Sequence, residues 1–193
     1  MRPFLALVLA IAVGVAAFAV LRDDGGAGHD SGSVTLVGDS LNVGIERDLA
    51  EQLPGWEIAA HDLVGRATPE GVEELRRLGG GLAPVVVVSL GTNDPDGSES
   101  DFRRLVDEAI ALAGPERCLV WATIVRDGRP RSGFNQVLEG ARSEHHNIRL
   151  VEWAALVGEE TDLLAADLVH GTPEGYARRA EETARAIRGC RTA

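Results

Sequence analysis

A serine and an aspartate–histidine pair in this chain have the residue types and the settings that nucleophilic catalysis needs. Ser40 follows a short apolar run at residues 34–37, which predicts a buried parallel strand, and it precedes a segment with helical spacing. Asp167 lies three residues before His170, just ahead of another predicted helix. One loop can therefore present a carboxylate and an imidazole together. A serine hydroxyl needs such a base, held by such a partner, to attack a carbonyl.

Each of these motifs also has a plainer interpretation. Ser40 could simply cap its helix, since Asp and Ser are common caps. Asp167 and His170 could be polar residues at a helix start. The other histidines offer weaker candidates, because His29 lies in a polar tether, His61 closes a strand, and His145 and His146 end a polar helix. The combination of motifs favours catalysis over capping.

Three short motifs, taken in chain order, resemble those of the SGNH or GDSL hydrolases. They are Gly-Asp-Ser-Leu at residues 38–41, Gly-Thr-Asn-Asp at 91–94 and Asp-x-x-His at 167–170, with the Gly-Tyr that often follows at 175–176. The resemblance spans residue 34 to about residue 180, which is most of the chain. It implies a serine ester hydrolase that works through a covalent acyl-serine. Ser40 would be the nucleophile, His170 the base and Asp167 the residue that orients His170.

An oxyanion hole is the other requirement of acyl transfer. The N–H of Ser40 at the helix start is one expected donor. The resemblance implies the N–H of Gly65 and the side-chain amide of Asn93 as the others. Thr92 and Asp94 are expected to shape the turn rather than to touch substrate. No metal ion or organic cofactor is implied, because the sequence has no ligand cluster, P-loop or dinucleotide-binding glycine pattern.

The elements that must position these residues alternate between strand and helix. Strands are predicted at residues 34–37, 56–61, 84–90, 117–125 and 147–153, and helices at 41–53, from Thr68, at 99–113, at 134–144 and at 172–188, with an irregular or briefly helical region at 154–169. Two of these helices begin with the same four residues, Thr-Pro-Glu-Gly, and the threonine, Thr68 or Thr172, is expected to cap each of them. This order predicts a three-layer α/β/α sandwich with a five-stranded, mainly parallel sheet. The strand order 2-1-3-4-5 is implied by the resemblance. The candidate site residues all follow strand ends and should converge on one edge of the sheet.

The N-terminal segment predicts export. Residues 4–21 are uncharged and almost wholly apolar, which is typical of a membrane anchor or of a cleaved signal peptide. A third possibility is a buried helix. We therefore divide the chain into a signal anchor or signal peptide at 1–22, a flexible tether at 23–32 and a hydrolase domain at 33–193, located outside the cytoplasm, either anchored or secreted.

Two cysteines, Cys118 and Cys190, form an even pair. In an exported domain such a pair predicts a disulfide, here one that ties the C-terminal end to the sheet. The alternative is a buried thiol at Cys118 and an unpaired one at Cys190. Neither cysteine has a histidine at catalytic spacing.

Charge and loop composition limit the partners. The net charge of −11 argues against nucleic acid and against adhesion to anionic lipid, so that contact with a membrane is expected only through the N-terminal helix. Three arginines at residues 126–131 could meet an anionic substrate or could form a solvated loop. We expect a monomeric esterase of short-chain acyl esters or of acylated envelope glycans. An O-acyltransferase of envelope glycans and a non-catalytic binding module with this fold are the alternatives.

Overall fold

The computed structural model of the protein describes residues 31–190. The predicted N-terminal apolar helix, the tether up to residue 30 and the last three residues of the predicted domain lie outside that range. Within residues 31–190, no helix is both long enough and apolar enough to cross a bilayer.

A parallel sheet forms the centre of the described domain. Its strands, in the spatial order β2-β1-β3-β4-β5, are β1 (Ser33–Gly38), β2 (Glu57–Ala60), β3 (Val85–Ser89), β4 (Cys118–Ala122) and β5 (Ile148–Val151). Every neighbouring pair in this sheet is parallel. The predicted α/β class, the five-stranded sheet and the strand order are confirmed.

Six α-helices in the described range connect and cover the strands. They are α1 (Ser40–Gln52), α2 (Thr68–Leu78), α3 (Glu99–Ala113), α4 (Ser132–Glu144), α5 (Trp153–Glu159) and α6 (Pro173–Gly189). The region predicted as irregular or briefly helical contains most of α5 and a 3₁₀ turn at Thr161–Leu163. The predicted fifth strand ends earlier than expected, because the buried Trp153 begins α5.

The four consecutive valines of β3 show how the three layers are built. Val85 and Val87 pack into the core that α1 and α6 cover, whereas Val86 and Val88 pack into the core that α2, α3 and α4 cover. All four side chains are 4% exposed or less. Side chains alternate between the faces of a strand, so an unbroken apolar run fits a central strand covered on both faces.

The fourth strand is shorter than the sequence predicts. It ends at Ala122, and Val125–Arg126 pairs instead with Arg129–Pro130 in a small antiparallel hairpin. The reason lies in the Asn135 side chain, which accepts from the Ile124 N–H at 2.7 Å and donates to the Ile124 carbonyl at 3.0 Å. This side chain supplies both hydrogen bonds that a neighbouring strand would otherwise provide.

The two Thr-Pro-Glu-Gly segments begin helices in different ways. Thr172 caps α6 as expected, with its hydroxyl accepting from the Gly175 N–H at 3.1 Å. The expectation that Thr68 caps α2 is wrong: the cap is Ala67, and Thr68 is the first helical residue. The Thr68 N–H donates at 2.7 Å to the carboxylate of Asp94, which replaces a local cap with a distant one.

The predicted disulfide between Cys118 and Cys190 is present. Cys118 is the first residue of β4, and it lies in the same row of the sheet as Val85 and Val34. The bond therefore fixes the end of α6 to the edge of the sheet at which the strands begin. Ser40 follows the end of β1, at the opposite edge.

Candidate active site

Ser40 is the first residue of α1, directly after a turn that leaves β1. Asp39 caps the helix, with one carboxylate oxygen accepting from the Leu41 N–H at 2.9 Å. Gly38 allows the helix to approach closely, because a Cβ there would lie 2.7 Å from Cβ of Asn42. Within the described residues, the Ser40 N–H has no acceptor. It is therefore available to an incoming oxyanion, as helix N-termini commonly are.

Ser40, His170 and Asp167 form a continuous chain of hydrogen bonds. Ser40 Oγ lies 2.9 Å from His170 Nε2, and His170 Nδ1 lies 2.7 Å from an oxygen of Asp167. The other oxygen of Asp167 accepts from the backbone N–H groups of Val169 and His170, each at 3.0 Å. The bond to the imidazole, together with these two backbone bonds, lowers the pKa of Asp167 to about 2. Asp167 is thus ionised at neutral pH and can fix the imidazole tautomer.

The loop that carries this pair is closed by a hydrogen bond across its own backbone. The Ala165 N–H donates to the His170 carbonyl at 2.8 Å, and Leu168 carries a left-handed φ of 58° that turns the chain between Asp167 and His170. The pair is nevertheless open to solvent, since the side chains of His170 and Asp167 are 42% and 53% exposed. A large substrate could therefore reach the imidazole.

Asn93 is held next to the turn that carries Ser40, because its side chain is bonded to Asp39, the residue before Ser40. Its side-chain amide donates to the second carboxylate oxygen of Asp39 at 3.0 Å and to the Arg66 carbonyl at 3.1 Å. Asn93 is exposed, whereas Thr92 and Asp94 on either side are buried. This agrees with the expectation that the two flanking residues shape the turn. Both hydrogens of the amide have internal acceptors, so that an oxyanion would have to share one of them.

Gly65 lies in the turn after β2, with a φ of 78° that suits glycine. This turn is held against the end of β1, because the Leu63 N–H donates to the Gly38 carbonyl at 3.0 Å. The guanidinium of Arg66 also donates to that carbonyl, at 3.5 Å, and to the carbonyl of His61. Gly65 is exposed at this position, and its role as an oxyanion donor stays a prediction.

Two buried charges beneath the site were not predicted from the sequence. Asp39 is fully buried, and its burial raises its pKa to about 6. Arg179 is 2% exposed, donates to Ser89 Oγ at 2.8 Å, and has its pKa lowered by burial to about 10. The attraction between the two charges lowers the pKa of Asp39 and raises the pKa of Arg179, so it partly opposes the effect of burial on each. The signal available in the sequence was an arginine on the apolar face of α6.

Two of the three arginines at residues 126–131 hold the loop that carries Asn93. Arg131 donates to the carbonyls of Gly91 at 2.6 Å and of Asp94 at 3.0 Å, and its guanidinium stacks 3.8 Å above the Phe134 ring. Arg126 donates to the same Asp94 carbonyl at 3.0 Å. These contacts give the two arginines a structural role, whereas Arg129 is exposed, and contact of this loop with an anionic substrate stays a prediction.

The site offers no obvious place for a metal ion. Among residues 31–190, no group of three or more His, Cys, Asp or Glu side chains is arranged to bind one. The serine, imidazole and carboxylate are instead connected as a proton-transfer chain, a geometry that recurs in acyl-transfer enzymes.

Comparison with known proteins places this geometry on a known fold. No family model and no curated protein sequence matches the chain. Solved structures do match it. A lipolytic G-D-S-L family protein of Veillonella parvula has a TM-score of 0.70 at 15% identity, over 82% of this chain and 99% of that one. The catalytic domain of Streptococcus pneumoniae peptidoglycan O-acetyltransferase A has a TM-score of 0.67 at 20% identity, over 84% and 96%.

A third example is the lipase/acylhydrolase from Enterococcus faecalis, with a TM-score of 0.64 at 21% identity, over 81% of this chain and 95% of that one. The similarity covers nearly the whole length of each of these structures. The chain therefore has the fold of the SGNH (GDSL) hydrolases, and the resemblance found in its short motifs is confirmed at the level of the fold.

Proposed function

We propose that the protein is a serine esterase that cleaves carboxylic esters, of short-chain acyl groups or of acetyl groups on glycans, through an acyl-serine intermediate. The observation that carries this proposal is the bond of 2.9 Å between Ser40 Oγ and His170 Nε2, with Asp167 at 2.7 Å on the other imidazole nitrogen. A hydroxyl, a base and an orienting carboxylate in this order are the parts that nucleophilic acyl transfer requires.

In the first half-reaction, His170 takes the proton of Ser40 as Oγ attacks the ester carbonyl. The tetrahedral oxyanion is stabilised by the N–H groups of Ser40 and Gly65 and by the amide of Asn93. When the intermediate collapses, the bond to the alcohol oxygen breaks, and His170 gives its proton to the leaving alcohol. Asp167 stays ionised and stabilises the imidazolium throughout.

In the second half-reaction, water replaces the alcohol. His170 removes a proton from the water, the resulting hydroxide attacks the acyl-serine, and collapse of the second intermediate returns the proton to Ser40 Oγ. The products are the free acid and the regenerated enzyme. No electron transfer takes place, and no co-reactant other than water is consumed.

We also propose that this reaction takes place outside the cytoplasm. The apolar segment at residues 4–21 and the disulfide between Cys118 and Cys190 both support export. Labelling of Ser40 in intact cells with a membrane-impermeant fluorophosphonate would test this location. Modification of the protein without lysis is expected, and protection until lysis would contradict the location.

The activity is tested by hydrolysis of p-nitrophenyl esters by the full chain, beside Ser40→Ala and His170→Ala. Each variant should lose about 10³-fold or more in kcat, since members of such a triad act as a unit. His146→Ala provides a matched control, because His146 is an exposed histidine far from Ser40 in the chain and outside the triad. A fluorophosphonate should label Ser40 of the unaltered protein. Unlabelled Ser40 and activity retained in Ser40→Ala would each contradict the proposal.

An O-acyltransferase is the second candidate. The similarity to the S. pneumoniae O-acetyltransferase domain and the open surface around His170 favour it, because a sugar hydroxyl could replace water in the second half-reaction. An acyl donor supplied together with a glycan acceptor would discriminate the two activities. Acylated glycan formed faster than free acid would identify a transferase.

A non-catalytic module that binds envelope components is the third possibility. The connected side chains of Ser40, His170 and Asp167 argue against it, because a binding surface has no need of a proton-transfer chain. Glycan binding that is unchanged in Ser40→Ala, combined with the absence of fluorophosphonate labelling, would favour the module.

A further inference from the structure

Exposed apolar side chains are concentrated around the candidate site. Exposed hydrophobic residues scattered singly are normal on a protein surface, whereas a group of them marks a place of contact. Among residues 31–190, the large hydrophobic side chains with the greatest exposure are Val43 at 40%, Leu168 at 49%, Leu63 at 55% and Val64 at 70%. We call these four residues the apolar rim.

Two members of the apolar rim lie on the turn after β2. The backbone of Leu63 is bonded to Gly38 at 3.0 Å, immediately before the turn that carries Ser40. Val64 follows Leu63 and adjoins Gly65, the expected oxyanion donor. A substrate carbonyl bound at Ser40 would therefore lie next to the turn that carries these two side chains.

The other two members lie on the elements that carry the catalytic side chains. Leu168 stands between Asp167 and His170. Val43 lies one helical turn after Ser40, and residues at that spacing share a face of the helix. All four exposed side chains are thus attached to segments that build the site.

Leu168 supplies an independent observation. Its φ of 58° is left-handed, a conformation that disfavours leucine and that glycine or asparagine adopts more readily. The backbone is held there by two hydrogen bonds, from the Gly128 N–H at 2.7 Å and to the Ala165 carbonyl at 2.9 Å. The Leu168 side chain is half-exposed, and its inner side lies beside Gly128, with three carbons 3.6–3.8 Å from the position that a Cβ there would take. Strain of this kind is often retained where a side chain contacts a ligand.

We propose that the apolar rim binds the acyl chain of the substrate ester, so that the preferred acyl group is longer than acetyl. This inference rests on the proposed esterase function and narrows its substrate. A chain of a few carbons needs no deep pocket if the segments that build the site offer it exposed apolar side chains, which fits the open surface around His170. An anionic membrane surface is a poorer occupant, because the protein carries a net charge of −11.

The test compares kcat/KM for p-nitrophenyl esters from acetate to octanoate. For the unaltered full chain, each added CH₂ should raise kcat/KM by about twofold until the rim is covered, roughly half of the gain expected for complete burial. In Leu168→Asn and Val64→Ser the rise should flatten, so that octanoate loses about 10-fold more than acetate. Ala111→Asn is the control, since Ala111 is exposed on α3 outside the rim, and its profile should run parallel to that of the unaltered protein.

Leu168→Asn also separates binding from folding. Asparagine tolerates a left-handed backbone, so this variant should unfold at the same temperature as the unaltered protein or higher. A variant that is folded and stable but flattened in its chain-length profile would support the proposal. A second measurement needs no turnover: the rate at which alkyl fluorophosphonates inactivate Ser40 should rise with alkyl length, and less so in Val64→Ser.

Several outcomes would overturn the inference. If the chain-length profiles of the rim variants run parallel to that of the unaltered protein, the apolar rim does not bind the acyl chain. A dependence on the length of the alcohol instead of the acid would assign the rim to the leaving group. Binding to neutral phosphatidylcholine vesicles that is lost in Val64→Ser, with unaltered chain-length profiles, would assign it to a membrane surface. Absence of both hydrolysis and Ser40 labelling would instead contradict the proposed function, and the acyl assignment with it.

Discussion

The carboxylate of Asp39 and the amide of Asn93 are joined by a hydrogen bond of 3.0 Å, although 54 residues separate them in the chain. The other oxygen of Asp39 caps the helix that begins with Ser40. One buried carboxylate therefore sets the position of the nucleophile's helix and the orientation of an expected oxyanion donor. Charge-assisted hydrogen bonds of this kind are among the stronger ones in proteins.

Replacement of Asp39 by asparagine should impair catalysis more than folding. Asn is also a good helix cap, so the bond to the Leu41 N–H can persist. The new amide group would be unable to accept from Asn93 while its oxygen caps the helix, and the Asn93 side chain should lose its fixed orientation. We expect kcat to fall about 10- to 100-fold with a smaller change in KM. Steady-state kinetics would measure this, with Asp48→Asn on the same helix as the control. An unchanged kcat would contradict the role of Asp39.

Stability should depend on pH through Asp62. Burial raises the pKa of this carboxyl from 3.8 to about 7, and the Asn42 amide donates to it at 3.1 Å. Between these two pKa values the folded protein holds a proton that the unfolded chain has released, so the free energy of unfolding falls as the pH rises through this window. Asp39 acts in the same direction between 3.8 and about 6.

Asp62→Asn removes this dependence, since the asparagine stays neutral and can still accept from Asn42. At each pH we compare the free energy of unfolding of the variant with that of the unaltered protein. This difference should favour the variant by on the order of 2 kcal/mol more at about pH 8 than at about pH 4. Urea unfolding at both pH values would measure the difference. Asp39 titrates in both proteins, and its charge is one of the smaller causes that raise the pKa of Asp62. Equal effects at the two pH values would show that Asp62 titrates normally.

Arg131 should affect catalysis through the loop that carries Asn93. It donates to the Gly91 and Asp94 carbonyls on either side of that residue, and a lysine cannot reproduce its planar fork. Arg131→Lys should lower kcat about 10-fold while KM changes little, because the expected oxyanion donor is loosened rather than removed. Arg129→Ala is the matched control, as Arg129 lies exposed in the same hairpin. Equal kinetics in the two variants would reduce Arg131 to a purely structural residue.

Reduction of the disulfide should destabilise the protein without disabling the site. The bond closes a loop between residues separated by 72 positions, and its loss should lower the free energy of unfolding by about 2–4 kcal/mol. Cys118 lies at the edge of the sheet opposite Ser40, so esterase activity well below the unfolding temperature should persist. Unfolding and activity would be compared in Cys118→Ala/Cys190→Ala and in the unaltered protein. Loss of activity in the folded double variant would indicate coupling across the sheet.

The parts of the site that could be predicted are those written in short stretches of sequence. Ser40 and Asn93 each lie within four residues of the end of a strand that its own apolar run reveals, and Asp167 with His170 forms a pair within four residues. Parallel strands bring their C-terminal ends to one edge, which makes the convergence of these residues predictable as well. The valine run of β3 was sufficient to identify a strand buried on both faces.

The parts that could not be predicted depend on partners distant in the chain. Thr68 and Thr172 stand in identical tetrapeptides, yet only Thr172 caps its helix. Thr68 is instead the first helical residue of α2, and the distant Asp94 carboxylate accepts the hydrogen bond from its N–H. The end of β4 is likewise set by the Asn135 side chain. The burial of Arg179 becomes apparent only when the face of α6 that packs on the sheet is known. Local propensity carries no information about such contacts.

The common row of Val34, Val85 and Cys118 has a practical consequence for handling the protein. Because strands are spaced by about 4.8 Å, the start of β1 and the disulfide that anchors Cys190 lie about 10 Å apart. The described chain therefore enters and leaves the domain at neighbouring points, both on the side away from Ser40. A bead, a display scaffold or a fluorescent fusion attached at either point would leave the reactive serine facing outward.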